Sequence, residues 1–161
     1  MAVILDALVQ LGQLLLVLAL APLLTGYVRK VKAHLLRRRG PPLVQPYRDL
    51  LKLIRKEVVL AENASWVFRV APYLIFATTL IAAALVPTFA TGLVFSSAAD
   101  LIAIVALLGS ARFALALAGL DIGTSFGGIG SSREMMIASL AEPAMLMIVF
   151  TLSLLAGSTQ L

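Results

Sequence analysis

Four long apolar runs follow one another along the chain and are separated by shorter polar connections. The runs are continuous and rich in Leu and Ala, and they lack the alternation of apolar and polar residues that marks a half-buried β-strand. Each run is close to the roughly 20 residues that an α-helix needs to cross the hydrocarbon core of a bilayer. The pattern predicts four transmembrane helices, at residues 7–27, 71–93, 101–120 and 135–156.

A fifth helix is predicted in the connection between the first two runs, residues 28–70. Gly40 and the two prolines after it interrupt a helix, and Pro46 suits the first turn of a new one. From Tyr47 to Val58, aliphatic residues fall on one side of a helix and charged residues on the other. This segment is too short and too charged to span, so we expect it to lie in the membrane interface with its apolar side towards the lipid.

The composition agrees with a protein whose main solvent is lipid. Of the 161 residues, 61% are hydrophobic and only 13% are charged, whereas soluble domains have about a quarter of their residues charged. A soluble fold of this length could not bury so much apolar surface. The predicted fold is an all-α polytopic membrane protein, with four transmembrane helices plus one interfacial amphipathic helix in a basic cytoplasmic loop. Residues 1–161 are expected to form a single membrane domain.

The distribution of positive charge predicts the orientation. Eleven of the thirteen Lys and Arg residues lie between Arg29 and Arg69. The positive-inside rule places the 28–70 connection in the cytoplasm, and the N-terminus then lies outside. The loop from Asp121 to Glu134 is inside, and the predicted location is the cytoplasmic (inner) membrane. The basic residues border membrane spans and lack interleaved aromatic residues, so the expected partner is the lipid bilayer and not a nucleic acid.

Several classes of function are excluded by residue type. The chain has no cysteine and one histidine, which excludes a disulfide framework and iron–sulfur ligation and makes a metal site unexpected. The glycine-rich stretch 121–134 lacks the Gly-Lys-Ser/Thr ending of a phosphate-binding loop. No catalytic residue, cofactor site or metal site is predicted in this chain.

Arg112 and Glu142 are the charged residues inside the predicted spans. A charge at mid-bilayer costs at least about 2.5–3.5 kcal/mol, so such groups normally face a bundle interior and have a partner. Both residues are expected at a similar depth, about 12 Å from the inner surface. Two hypotheses remain open: a structural ion pair between them, or a proton relay through Glu142, beside which Pro143 frees a backbone carbonyl.

Two more acidic residues stand at the ends of the inner loop. Asp121 follows the third predicted span, and Glu134 precedes the fourth. Ser131 or Ser132 could cap the fourth helix, with Glu134 in its first turn favoured by the helix dipole. The alternative hypothesis makes Asp121 and Glu134 the inner ends of a relay that leads to Glu142.

Three ordered motifs resemble one protein family. They are RRGP followed by QPYRDLLKL, the segment WVFRVAPY at 66–73, and ARFALALAGLDIGTSFGGIGSSREMMIASLAEP at 111–143. Together they resemble the membrane subunit of formate hydrogenlyase and related energy-converting [NiFe] hydrogenases. That subunit is homologous to the complex I membrane subunit that borders the quinone chamber. The compact stretch 40–46 is closer to the hydrogenase branch.

The resemblance covers the N-terminal half of such subunits, which are about twice this length with around eight helices, so we expect a fragment, a truncated gene product or a split subunit. It implies a non-catalytic subunit that docks a soluble hydrogenase arm and helps to couple electron transfer to ion translocation. The implied partners are soluble [NiFe]-hydrogenase-like large and small subunits and antiporter-like membrane subunits. Nickel–iron and iron–sulfur centres are expected in those partners, with no cofactor bound by this chain.

The acidic relay implied by the resemblance joins Glu142, Glu134 and Asp121, with Arg112 beside them. The candidate docking residues lie in the basic loop, where the simpler alternative is a juxtamembrane anchor. They are Arg38, Arg39, Gln45, Arg48, Asp49 and Lys52. Two other functions stay open at this point: a membrane subunit of a complex I type NADH:quinone oxidoreductase, and a small independent ion transporter.

Overall fold

The structure is a computed structural model that describes residues 2–89 and 99–160, and these residues form five α-helices. Four of the five are long and apolar enough to cross a membrane, the exception being the second. The helices are α1 (Ala2–Leu35), α2 (Gln45–Ile54), α3 (Trp66–Leu85), α4 (Leu101–Asp121) and α5 (Ser125–Ala156). The described part contains no named β-strand, only an isolated bridge between Asp100 and Gln160. The predicted all-α class with four long apolar helices is therefore confirmed.

The chain divides into two compact units. One unit combines the start of α1, up to Gln10, with everything from Leu60 onwards, and the other covers Leu11–Val59. The single membrane domain stays a prediction.

In the first unit, α4 packs against both α3 and α5. Small side chains allow this close packing, because they let helix backbones approach one another within a membrane. The backbone N–H of Leu101 donates to the carbonyl of Thr159 at 3.0 Å, so α4 begins beside the end of α5 and the two helices are antiparallel. The buried residues of α4 are Ile104, Ala111, Ala114, Ala116 and Ala118.

The third helix differs at both ends from the predicted span 71–93. It begins at Trp66, where the Ser65 side chain accepts a hydrogen bond from the N–H of Val67 at 3.2 Å. It ends at Leu85 because Val86 is extended, with φ −77° and ψ 117°, as expected of a residue before a proline. The last predicted residues, 90–93, lie outside the described part.

The last helix begins ten residues earlier than the predicted 135, at Ser125. Its cap is Thr124, whose hydroxyl accepts from the N–H of Gly127 at 3.1 Å. The prediction that Ser131 or Ser132 caps this helix, with Glu134 in its first turn, is therefore wrong. The composition of the glycine-rich segment favours a loop, but the segment is helical, and its Gly127 packs closely on Gly119 of α4.

In the second unit, the chain turns back along α1 after Leu35. Arg37 has φ 54°, and the N–H groups of Arg37 and Arg38 donate to the carbonyls of His34 and Ala33 at 3.0 and 2.8 Å. This pair of bonds is a Schellman motif, which closes a helix end through one left-handed residue. The Tyr47 hydroxyl of α2 donates to the carbonyl of Ala19 in α1. The α2 helix therefore contacts α1 at this residue, and its place in a membrane interface stays a prediction.

Candidate functional site

The Glu142 side chain lies against a glycine of the neighbouring helix. A Cβ atom placed on Gly109 of α4 would lie 3.2 Å from Oε1 of Glu142 and 3.4 Å from its Cδ. The carboxyl group of Glu142 is half-buried and occupies space that a side chain at position 109 would compete for. The glycine thus allows α5 to bring its carboxylate onto the backbone of α4.

Two cavities meet at this contact. The smaller, of about 50 Å³, is lined by Arg112 and Glu142 among apolar residues. The larger, of about 610 Å³, has Ser110, Ser139 and Glu142 as its polar lining. Val105, Gly109 and Glu142 line both cavities, so the two cavities adjoin at this carboxylate.

Arg112 and Glu142 face the same cavity without direct pairing. Within the described part of the chain, neither forms an ion pair at 4.0 Å or less. The cavity volume of about 50 Å³ exceeds the ~10–15 Å³ that one water molecule requires, and the two charged groups supply polar partners. The arrangement suits a charge pair that interacts through water.

The two serines of the larger cavity keep capacity to bind water. Ser110 Oγ donates to the carbonyl of Leu107 at 2.7 Å, and Ser139 Oγ donates to that of Met136 at 2.8 Å. A hydroxyl that donates once still has two acceptor lone pairs. Because Pro143 has no N–H, it also leaves the Ser139 carbonyl without its helical donor. The two hydroxyl groups therefore offer acceptors to water in the larger cavity.

Asp121 holds two helix ends together. Its carboxylate accepts hydrogen bonds from the Ser65 N–H at 2.9 Å and from the Ser65 hydroxyl at 2.5 Å. Ser65 precedes α3, and Asp121 is the last residue of α4. The carboxylate therefore ties the beginning of one helix to the end of the next, a structural role that the sequence pattern did not reveal.

The predicted relay residues are spread along the helices. Glu134 is exposed on α5, and its separation of eight positions from Glu142 corresponds to about 12 Å along the axis. Asp121 lies twelve residues after Gly109 on α4, or about 18 Å along that axis. The structure brings Arg112 and Glu142 to one cavity and leaves the other two acids outside it.

The predicted docking residues fall into two groups. Gln45 Nε2 donates to Asp49 Oδ1 at 3.0 Å, so these two side chains pair with each other on α2. Asp49 also lines a cavity of about 340 Å³ with Arg29 and other residues of α1 and α2. The remaining residues present exposed positive charge, and they are Arg38, Arg39, Arg48 and Lys52.

Sequence reasoning missed Gly109 and Ser65. A lone glycine inside an apolar run is a weak signal, although it often marks a close approach between backbones. Ser65 stands directly before an apolar run, which is the usual signature of a helix cap. In the described part of the chain no group of three or more His, Cys, Asp or Glu side chains could hold a metal ion.

Comparison with known proteins identifies the family of this chain. A sequence profile of the family described as NADH dehydrogenase matches residues 9–161. Hydrogenase-4 component C of Escherichia coli (strain K12) is 38% identical over 151 residues, covering 94% of this chain and 48% of the relative. Formate hydrogenlyase subunit 4 of the same organism is 40% identical over 149 residues, covering 92% of this chain and 48% of the relative.

A relative from the complex I group is less similar. An NADH-quinone oxidoreductase subunit of Anaplasma phagocytophilum (strain HZ) is 29% identical over 152 residues, covering 83% of this chain and 45% of the relative. The chain spans about half the length of the curated relatives that it matches. The resemblance inferred from the three motifs is confirmed, and the chain belongs to the NADH dehydrogenase family, among relatives that include hydrogenase-4 component C and formate hydrogenlyase subunit 4.

Proposed function

We propose that this chain is a non-catalytic integral-membrane subunit of a hydrogenase or formate hydrogenlyase type redox complex, and that it helps to couple electron transfer to ion translocation. The observation that carries the proposal is the Glu142 carboxylate, which lines two adjoining cavities and lies against Gly109. A titratable group inside an apolar span is costly and usually marks an ion or proton pathway. The higher identity to the two hydrogenase relatives supports the same assignment.

In this proposal Glu142 accepts a proton from water in one cavity and releases it to water in the other. Arg112 lines the smaller cavity and donates hydrogen bonds to water there. Ser110 and Ser139 accept hydrogen bonds from water in the larger cavity and orient it towards the carboxyl group. Asp121 and Glu134 are the inner ends of the pathway, with Asp121 also serving as the tie to Ser65.

The docking of a soluble arm is assigned to the basic segment 38–52. The Gln45–Asp49 bond orders α2, and Arg38, Arg39, Arg48 and Lys52 offer exposed charge to an acidic face of the partner. The partners are soluble [NiFe]-hydrogenase-like large and small subunits, which would carry the metal centres, and antiporter-like membrane subunits. The segment lies on the cytoplasmic side of the inner membrane, with α2 in the interface.

The direct test is purification of the tagged protein from native membranes in mild detergent, with its partners identified by mass and metal content. Co-purification of a soluble module that contains nickel and iron is the expected result. Charge reversal of Arg48 and Lys52 to Glu should reduce the recovered nickel, whereas reversal of Arg133, which lies on α5, should not. A monodisperse chain that purifies alone, from cells that express the rest of the complex, would contradict the docking proposal.

A second candidate is a membrane subunit of a complex I type quinone reductase. The NADH dehydrogenase family match and the identity to the NADH-quinone oxidoreductase relative favour it. The same purification separates the two candidates, because quinone-reactive activity of the isolated complex supports the second and hydrogen evolution supports the first.

A further inference from the structure

A groove of about 310 Å³ lies beside the last turns of α1, within the Leu11–Val59 unit. Its volume is at the lower end of the about 300–1,000 Å³ that is typical of small-molecule sites. We call it the basic groove. Its lining residues are Tyr27, Lys30, Val31, His34, Leu35 and Leu43.

The groove exists because the chain folds back on α1. The left-handed residue Arg37 reverses the chain, and Gly40 then lies so close to the helix that a Cβ there would be 3.1 Å from the Cα of Lys30 and from the Cβ of Ala33. Further on, the backbone of Leu43 lies against Gly26. Leu43 of the returning segment thus closes one side of the groove, and the other lining residues all belong to α1.

The groove is expected at the level of the lipid headgroups. The 34 residues of α1 correspond to about 51 Å, which exceeds the ~30 Å of the hydrocarbon core. The apolar run of α1 ends at Val28, and Arg29 begins the charged part. Tyr27 is at this boundary, where tyrosine commonly stands at a membrane–water interface.

The lining has the chemistry of a phospholipid site. Lys30 and His34 are four residues apart and so lie on one face of α1, while the aliphatic and aromatic residues of the groove offer an apolar surface. No Asp or Glu occurs between Asp6 and Asp49, although seven Lys and Arg residues do. The positive charge around the groove is therefore not compensated within this segment.

We propose that the basic groove binds an anionic phospholipid, with its phosphate at Lys30 and His34 and an acyl chain along Tyr27, Val31 and Leu43. The apolar walls favour a lipid over a soluble polyanion. This binding needs no partner subunit, so it stands or falls separately from the proposed function.

The test is native mass spectrometry of the 161-residue chain in mild detergent, titrated with dioleoyl phosphatidylglycerol or dioleoyl phosphatidylcholine. We expect a phosphatidylglycerol adduct at concentrations where phosphatidylcholine gives none. The double variant Lys30→Gln, His34→Gln should weaken this adduct by at least about fivefold, the contribution of one basic group at a membrane surface. The control double variant Arg48→Gln, Lys52→Gln removes charge from α2, outside the groove, and should leave the adduct unchanged.

A variant that keeps the positive charge of the groove distinguishes a defined lipid-binding site from general electrostatic attraction between the basic segment and the lipid. Val31→Trp fills the groove and is expected to weaken the phosphatidylglycerol adduct as well. Unchanged binding by Val31→Trp, or equal losses in the two charge variants, would overturn the proposal. So would displacement of the lipid by an equal concentration of inorganic phosphate, because the groove would then recognise phosphate alone.

Discussion

The Glu142 carboxylate rests on Gly109, with its Oε1 atom 3.2 Å from the position that a Cβ at residue 109 would take. The two cavities of the candidate site meet at this contact. The position of the carboxyl group on α5 therefore depends on an empty space on α4. This contact determines the shape of the candidate site. A substitution at Gly109 alters the contact without changing a titratable group.

A methyl group at Gly109 should displace the Glu142 side chain. We expect Gly109→Ala to be less stable than Gly130→Ala by about 0.5–1.5 kcal/mol, the cost of forcing a side chain away from its preferred rotamer. Gly130 is the matched control because nothing lies within 4 Å of its Cβ position, and both changes gain a similar helix propensity. Reversible unfolding in mixed micelles measures the difference, and equal stability would contradict the contact.

Gly127 should tolerate substitution by alanine less well than Gly109 does. A Cβ there would clash with the carbonyl oxygen of Gly119, and a backbone atom cannot move aside as a side chain can. We expect Gly127→Ala to lower the free energy of unfolding by about 1–3 kcal/mol, as overpacking does. The adjacent Gly128 has nothing within 4 Å of its Cβ position, so Gly128→Ala is the control. If Gly127→Ala and Gly128→Ala have the same free energy of unfolding, Gly127 of α5 does not lie against Gly119 of α4.

The Ser65–Asp121 tie should be visible as coupling between two substitutions. Ser65→Ala removes a helix cap and a hydrogen bond to Asp121, and we expect a loss of about 0.5–2 kcal/mol. A double-mutant cycle with Asp121→Asn, followed by unfolding, should give a coupling energy of about 0.5–3 kcal/mol. Additive effects of the two substitutions would show that Asp121 does not hold the start of α3.

The turn after α1 offers a stabilising substitution. Arg37 has φ 54°, a conformation that costs a non-glycine residue roughly 1–2 kcal/mol. Arg37→Gly should therefore stabilise the folded chain by up to about 1 kcal/mol. Arg38→Gly, at a position without positive φ, should not stabilise it, and thermal unfolding of the two variants compares them. Lower stability of Arg37→Gly would argue against the left-handed turn.

The long helices could be predicted because their apolar runs are a direct consequence of lipid as solvent. The early start of α5 could not be predicted from the sequence. Composition alone favours a loop there, because the segment contains Gly127, Gly128 and Gly130. Within this stretch Gly127 packs on Gly119 of α4, and this is a tertiary contact that composition does not reveal. The end of α3 was predictable in principle, because Pro87 constrains Val86.

The candidate site was predictable only in part. Arg112 and Glu142 stood out as charges in apolar runs, and the structure places both at one cavity. The role of Gly109 was hidden because it depends on a residue 33 positions away. The bond between Ser65 and Asp121 spans 56 positions, and no local pattern reports a contact of that kind.

The proton transfer that we propose for Glu142 is tested by measuring proton movement through the complete complex in sealed vesicles. We expect Glu142→Gln to slow proton translocation on the order of 10²-fold, the lower range for loss of an acid–base group, while electron transfer among the partner centres continues. Glu142→Asp should restore part of the rate, and Glu134→Gln, on the exposed part of α5, should have a smaller effect. Proton translocation at the native rate in Glu142→Gln would contradict a role of Glu142 in proton transfer.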